Sequence, residues 1–489
     1  MSQTMNGREA RLGILRGMAS ALEAAQMTYG PCGWTVAVDY SSHEIRSTKS
    51  GSTVLEDFQL SDPCEDAGAR LLCHIAQQVQ KYAGDGTTLA SVLAHAIAVS
   101  AHRQHALADN EAEVYRGIRI ASQMVEQFIA ERSRPVTLPS EMHSVACSAS
   151  GLDDSLASLI VEAFRSAQYP FAVFLQPSPT SSLEVLKGLL LDAHVHDRLN
   201  HPCKSHLLIN PLIVIYPGEL KTWDQIEHEL EAATASGADL LIAAQRICPT
   251  FRATMPANID RPRVHLVSLA MSRLPYPFEE LREMFGARLS QSSRRCIIAN
   301  DKVFLELVVG NFETERAGER AIRAALVSVG EIGDTASRER MERAAQCAAS
   351  VRAALDQGYV AGGAAILVDA ARWLGSQTVD DATAAIGIEI LRQALLVPAR
   401  TLIDSAGECG GQEIDAMLAH PSGGRTFDLR ERRACDAGTA GILDATGVVI
   451  TALRVSASVG ALIALTEVLV RQLREGNQVR SPVPQYAHH

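Results

Sequence analysis

No basic tract occurs anywhere in this sequence, and acids outnumber bases 56 to 45, giving a formal net charge of -11 and a pI near 5.8. Nucleic-acid backbones and anionic membranes both reward basic surfaces, so neither is expected as the main partner. The ten cysteines (32, 64, 73, 147, 203, 248, 296, 347, 409 and 435) stand singly, with no C-x-x-C pair and no framework spacing. Reduced thiols in the cytoplasm are the expectation. The opening MSQTMNGREARLGILRGMASALEAAQ lacks the basic start and uninterrupted apolar region of a secretory signal. The longest apolar candidate, SVGALIALTEVLV at 458–470, is too short to span a bilayer and contains Glu467, so it reads as a buried helix. Also missing are a G-x-x-x-x-G-K-[ST] loop, a G-x-G-x-x-G fingerprint after a strand, and any legible Ser-His-Asp or H-E-x-x-H arrangement.

What is present is a chain of 489 residues, 47% hydrophobic and 21% charged, long enough for about two to four domains. Leu12, Leu15, Met18, Leu22 and Ala25 predict a helix over 8–29, stopped by the YGPCG turn at 29–33. WTVAVDY (34–40) predicts a strand, and helices follow at 69–82 and from Thr87. SRPVTLP (133–139) is a breaker-rich join, and FAVFLQPSP (171–179) reads as a strand entering a turn. Between 187 and 323, apolar runs such as PLIVIYP (211–217), ADLLIAA (238–244) and VHLVSLA (264–270) alternate with helical stretches, which predicts a mixed α/β domain. Helical periodicity returns from 338. Helical ends around a different middle suggest a discontinuous domain carrying an insertion, with a disordered tail from about 475.

The stretch KYAGDGTTLASVLAHAIA (81–98) poses the functional question. Gly84 and Gly86 let backbone approach a ligand, and a helix opening at Thr87 aims free amides and its positive dipole end at an anion. Asp85 repels phosphate unless a hard cation such as Mg²⁺ lies between them, so the combination points to a metal-bound nucleotide. Gly-Asp-Gly is equally ordinary turn chemistry and Thr an ordinary helix cap, so both readings stand on this motif alone.

The run AGDGTTLASVLAHAI resembles the phosphate-binding signature of the group I chaperonins, the bacterial GroEL-type proteins. MTYGPCGWTVAVD (27–39), STKSGSTVLEDF (47–58), AALDQGYVAGGAAIL (353–367), PARTLIDSAGE (398–408) and GILDATGVVITALRVSASVGALI (441–463) are similar to other segments of that family, in the same order. The resemblance implies a mostly α fold with an α/β apical domain: an equatorial domain at 1–131 and 357–489, an intermediate domain at 132–186 and 324–356, and an apical domain at 187–323. It implies a homo-oligomeric ring, seven-fold by resemblance, that binds non-native or dedicated client proteins and ATP, with a co-chaperonin lid as a further partner. Asp85 matches the Mg²⁺ ligand; Gly84, Gly86, Thr87 and Thr88 the phosphate contacts; Thr28, Gly30 and Pro31 the first nucleotide loop; and Lys49 a residue beside the phosphate and K⁺ sites, with Thr28 and Thr88 as K⁺ candidates. Gly362 and Gly363 match the glycines under the nucleoside, and Asp444 the ribose acid. The chain is shorter than typical members, chiefly in the apical region, and lacks their Gly-Gly-Met repeat tail.

Two departures bear on hydrolysis. Ser50 stands where the family has an Asp near the attacking water, and Gln346 stands where the intermediate domain delivers its catalytic Asp. A hydroxyl and an amide supply no general base, whose loss forfeits roughly 10²–10⁴ in rate. Weak or absent ATPase activity is therefore expected. Glu342, four residues before Gln346 and on the same helical face, is the candidate substitute acid. Two alternatives remain: a non-hydrolysing scaffold that keeps the equatorial fold for assembly, and an active foldase with relocated acids.

The implied client surface comprises Val195, Leu199, Trp223, Ile226, Leu230, Phe251 and Met255, interrupted by His196, Asp197, Asn200 and Glu227. A sparser apolar surface accepts fewer kinds of unfolded chain. Residues 192–206 also gather His194, His196, His201, Cys203 and His206, for which a metal site and a solvated polar loop are both open readings. Cys347 and Cys409 read as small buried residues.

Overall fold

Helices fill both ends of the chain and a sheet its middle in the computed structural model, which describes residues 2–472 except 42–43, 57, 105–110, 169, 171, 196–204, 254–263, 276, 285–292, 300–301, 308–320, 378–381, 421–422, 465 and 467. The first helix, Gly7–Gln26, buries Ala10, Ile14, Met18, Ala21 and Ala25, a stripe spaced by three and four residues. It lies against the helix Pro63–Ala83, whose start is fixed by Asp62 accepting the amides of Cys64 and Glu65. Their separation is set by small residues: a Cβ added to Gly17 would fall 1.8 Å from the Glu65 carbonyl oxygen.

Helix Thr87–Gln104 is buried on nearly every side, the mark of a central core helix. Against it packs Thr446–Ala464, where Ser456 donates to the Ala90 carbonyl at 2.8 Å and Gly460 faces the Ala94 carbonyl. One core thus unites Leu93, Ile97, Ile118 and Phe128 from the early chain with Leu367, Leu391, Val449 and Leu453 from the late chain. The two ends also meet as backbone, since Ser2–Asn6 pairs antiparallel with Val468–Gln472, Ser2 opposite Gln472. This corrects the reading of 458–470 as one buried helix. The helix starts twelve residues earlier, at Thr446, ends at Ala464, and gives way to that strand. Its residues 446–463 are apolar and long enough to cross a membrane by composition, yet most are buried among the protein's own helices.

In the middle, the strand Ser182–Val195 is a shared seam. It pairs antiparallel with Ile322–Gly330 near its start, with Lys302–Leu307 further on, and with Val264–Leu269 at its end. Leu212–Leu220, Leu240–Ile247 and Val264–Leu269 form a parallel trio. Alternate residues face opposite layers, so Leu212, Val214, Leu240 and Ile242 join one apolar cluster while Ile213, Ile215, Leu241 and Ala243 join another.

Between sheet and helical bundle lie the helices Pro139–Ala149, Asp154–Ser166 and Asp334–Gln357. Ala146, Ile160, Phe164, Val327, Ala344, Cys347 and Val351 form their common core. Helix Asp334–Gln357 follows directly from the strand Ile322–Gly330 and leads to Tyr359–Ala361, which pairs with Leu443–Ala445. That path carries its side chains across the mouth of the site.

Candidate functional site

A cavity of about 460 Å³ opens where these helices meet the bundle. It brings together Thr28, Gly30, Pro31, Lys49, Asp85, Gly86, Thr87, Thr88, Gly363 and Asp444, contributed by five separate stretches of chain. Gly84 and Gly362 stand just behind it. Gly84, left-handed at φ 73°, ends the helix Pro63–Ala83 by donating to the Gln80 carbonyl, and Gly362 donates to the Ile442 carbonyl at 2.9 Å.

The turn at 84–86 is built for close approach. Gly86 has φ 81°, and a Cβ there would lie 2.7 Å from Val448 Cγ1, so only glycine fits without displacement. Asp85 is fixed at both oxygens: Oδ1 accepts the Gly86 amide at 2.7 Å, and Oδ2 accepts the Ser350 hydroxyl at 2.6 Å. Burial raises its carboxyl above the ordinary range, with these two donors opposing the rise. Asp444 is pushed up to about 6, first by burial and then by the charge of Asp85, while the amides of Gly363 and Ala364 pull the other way. Two carboxylates sharing one buried cleft repel each other, and a cation between them would offset the cost of ionising both.

Hard oxygen donors with that unmet charge fit Mg²⁺ in chemical character. Asp85 would hold it, and the start of the helix Thr87–Gln104 would face the phosphates it accompanies. Thr28 Oγ1 and Thr88 Oγ1 lie 3.3 Å apart, and Thr28 donates to the Ala25 carbonyl at 2.7 Å. These two hydroxyls, which the resemblance names as K⁺ candidates, thus lie side by side in one cavity.

The residues expected to bear on hydrolysis divide. Gln346 lines the cavity with Arg343 and Ser350, all from helix Asp334–Gln357. Ser50 does not line it, being buried with its hydroxyl 2.8 Å from that of Ser52. Glu342 faces elsewhere, accepting the Thr48 hydroxyl at 2.7 Å. Although Glu342 and Gln346 lie on one helix, only the amide lines the cleft, so Glu342 as substitute acid has no support in this geometry.

Two of the expected client contacts are corrected. Ile226 is fully buried and Phe251 is 2% exposed, because both pack into the cluster beneath the parallel strands. Trp223 covers Phe251 with ring centroids 4.7 Å apart, and with Leu230 it lines a shallow groove beside Asp224, Glu227 and Glu231. Val195 is half-buried at its strand end, while Leu199 and Met255 lie outside the described residues. So do His196, His201 and Cys203. His194 is exposed on its strand, and the His206 ring lies 5.5 Å from that of His265. Cys347 is buried as expected, but Cys409 is exposed, preceding the helix Gly410–Ala419.

Sequence reasoning did not find Ser350, Arg343, or the group His143, Cys147 and Asp154 at the cavity mouth. Ser350 had one available signal: it follows Gln346 by four residues and shares its helical face.

The model of the TCP-1/cpn60 chaperonin family matches residues 22–205 and 219–472. That match takes in every described element that lines the cavity, from the turn at Thr28 to the helix Thr446–Ala464. The chain belongs to the TCP-1/cpn60 chaperonin family.

Proposed function

We propose that this chaperone-family protein is a cytoplasmic, Mg²⁺-ATP-binding subunit of a homo-oligomeric ring that holds or assembles client proteins and hydrolyses ATP weakly or not at all. The observation that supports the reading best is the pair of buried acids, Asp85 and Asp444, facing one cleft beside the start of the helix Thr87–Gln104. Such a pair is costly without a cation and suits a metal-bound polyphosphate with a ribose. When bound, Mg²⁺ would neutralise phosphate charge; Asp85 would hold it, Thr87 and Thr88 would face the phosphates, and Asp444 would take the ribose hydroxyls.

Weak hydrolysis rests on what helix Asp334–Gln357 presents to that cleft: Arg343, Gln346 and Ser350, a cation, an amide and a hydroxyl. None of these accepts a proton from water at neutral pH. Clients would meet the groove of Trp223 and Leu230, where Asp224, Glu227 and Glu231 favour apolar segments flanked by Lys or Arg. The alternative of a scaffold that binds no nucleotide is separated by one experiment. Titration calorimetry with Mg²⁺-ATP, run alongside phosphate release, should show binding that Asp85→Ala weakens by at least ten-fold, and turnover no higher than in that variant. Absence of binding would leave the scaffold reading, and turnover that Asp85→Ala abolishes would establish an ATP-driven cycle.

A further inference from the structure

At the mouth of the same cleft, three side chains of different chemistry converge that the nucleotide reading does not use. His143 and Cys147 are four residues apart on helix Pro139–Ala149 and so share a face. Asp154 opens the next helix, turned back toward them by Gly151 and Leu152, both left-handed at φ 66° and 65°. A leucine in that conformation is uncommon, and it is what allows so tight a reversal.

The ligand atoms form a triangle. His143 Nε2 lies 3.3 Å from Asp154 Oδ1, Cys147 Sγ lies 3.9 Å from the same Nε2 and 3.4 Å from Nδ1 of that ring, and Cys147 Sγ lies 3.9 Å from Asp154 Oδ1. A tetrahedral zinc ion with its usual bond lengths spaces its ligands by roughly 3.3–3.8 Å, close to the distances through Nε2, and a turn of the His143 ring that points Nε2 between Sγ and Oδ1 would complete the site. Neighbouring charges are engaged with other groups. Arg340 and Arg343 reach Asp153 at 3.6 Å each, and Arg430 donates to the Leu152 carbonyl. Ser158 Oγ, 3.1 Å from His143 Nε2, adds an oxygen beside the cluster.

We propose that His143, Cys147 and Asp154 form a zinc-type divalent-cation site, with its fourth position open to the cleft. Imidazole, thiolate and carboxylate together select a borderline-soft ion over Mg²⁺ or Ca²⁺, which separates this site from the hard-oxygen site at Asp85. The ion would tie helix Pro139–Ala149 to helix Asp154–Ser166 next to Arg343 and Gln346. Because the thiol must lose its proton to bind, affinity rises with pH.

Cobalt(II) titration of the full chain tests this, because cobalt reports its own ligands. One equivalent should produce a thiolate-to-cobalt charge-transfer band with the visible absorption of a tetrahedral ion. Cys147→Ser should remove the charge-transfer band, and Asp154→Asn should weaken cobalt binding at least ten-fold. Asp85→Ala should leave the band in place. No thiolate band at saturating cobalt, a band that survives Cys147→Ser, or a band lost in Asp85→Ala overturns the assignment. Should Cys147→Ser fail to fold by circular dichroism, Asp154→Asn decides alone, its side chain being exposed; unchanged affinity then counts against the site.

Discussion

Ser350 donates a 2.6 Å hydrogen bond to Asp85 Oδ2 across 265 residues of sequence. The bond joins helix Asp334–Gln357 to the turn that would carry the cation, so on the proposed reading a Mg²⁺-nucleotide entering the cleft would compete with it. A hydrogen bond to a charged group is worth roughly 1.5–3 kcal/mol, and about 1.4 kcal/mol is ten-fold in affinity. Ser350→Ala is therefore expected to tighten Mg²⁺-ATP binding by about ten-fold. Calorimetry at fixed Mg²⁺ checks this; equal or weaker affinity would show that the hydroxyl aids the ligand instead of competing with it.

Asp444 makes the stability of the protein sensitive to pH. Its carboxyl is held at about 6 in the fold against an ordinary 3.8. Below both values the group is neutral folded and unfolded and has no effect. As pH rises from about 4 to about 6 the unfolded chain ionises first, and stability falls by ~3 kcal/mol before levelling off. Asp444→Asn removes that loss while keeping an oxygen for the amides of Gly363 and Ala364. Urea denaturation should find the variant more stable than wild type at pH 7.5, with the gap closing toward pH 4. A gap independent of pH would mean that burial of this acid is not what sets its cost.

Much of this site was legible because it is local. Gly84, Asp85, Gly86 and Thr87 declare a turn and a helix start within four residues, and the helix Thr87–Gln104 follows its apolar pattern. What escaped depends on distant chain. The strand pairing of Ser2–Asn6 with Val468–Gln472 joins two segments that neither composition nor periodicity links. By sequence Ile226 and Phe251 suit a surface groove, because an apolar stripe does not reveal which neighbour covers it; here the parallel strands do. The approach of Asp154 to His143 and Cys147 needs a left-handed leucine, a conformation that no pattern of residue types announces.

Glu342 has a structural role that turnover should not reflect. Its Oε2 accepts the Thr48 hydroxyl at 2.7 Å, anchoring the helix Asp334–Gln357 to the end of the strand Glu44–Thr48. Glu342→Gln is expected to leave phosphate release unchanged within two-fold. Glu342→Ala should cost about 1 kcal/mol of stability through the lost hydrogen bond. A hundred-fold loss of turnover in Glu342→Gln would reinstate it as the relocated acid.

Gln346 offers the opposite experiment, a gain. It already lines the cleft on the helix that also presents Ser350 to Asp85, so a carboxylate at the same position would face the same space. General-base assistance contributes roughly 10²–10⁴ in rate. Ser50 remains a hydroxyl, turned toward Ser52, so only part of that range is expected back. Gln346→Asp should raise phosphate release at least ten-fold over wild type, and the gain should vanish when Asp85→Ala is added. A third carboxylate near Asp85 and Asp444 also adds repulsion, so nucleotide-free Gln346→Asp should unfold at lower urea than wild type, and Mg²⁺-ATP should recover more of the difference than ATP with chelator. Activation without that Mg²⁺-dependent recovery would place the new acid away from the cation, and no activation at all would mean that the missing base is not what limits turnover.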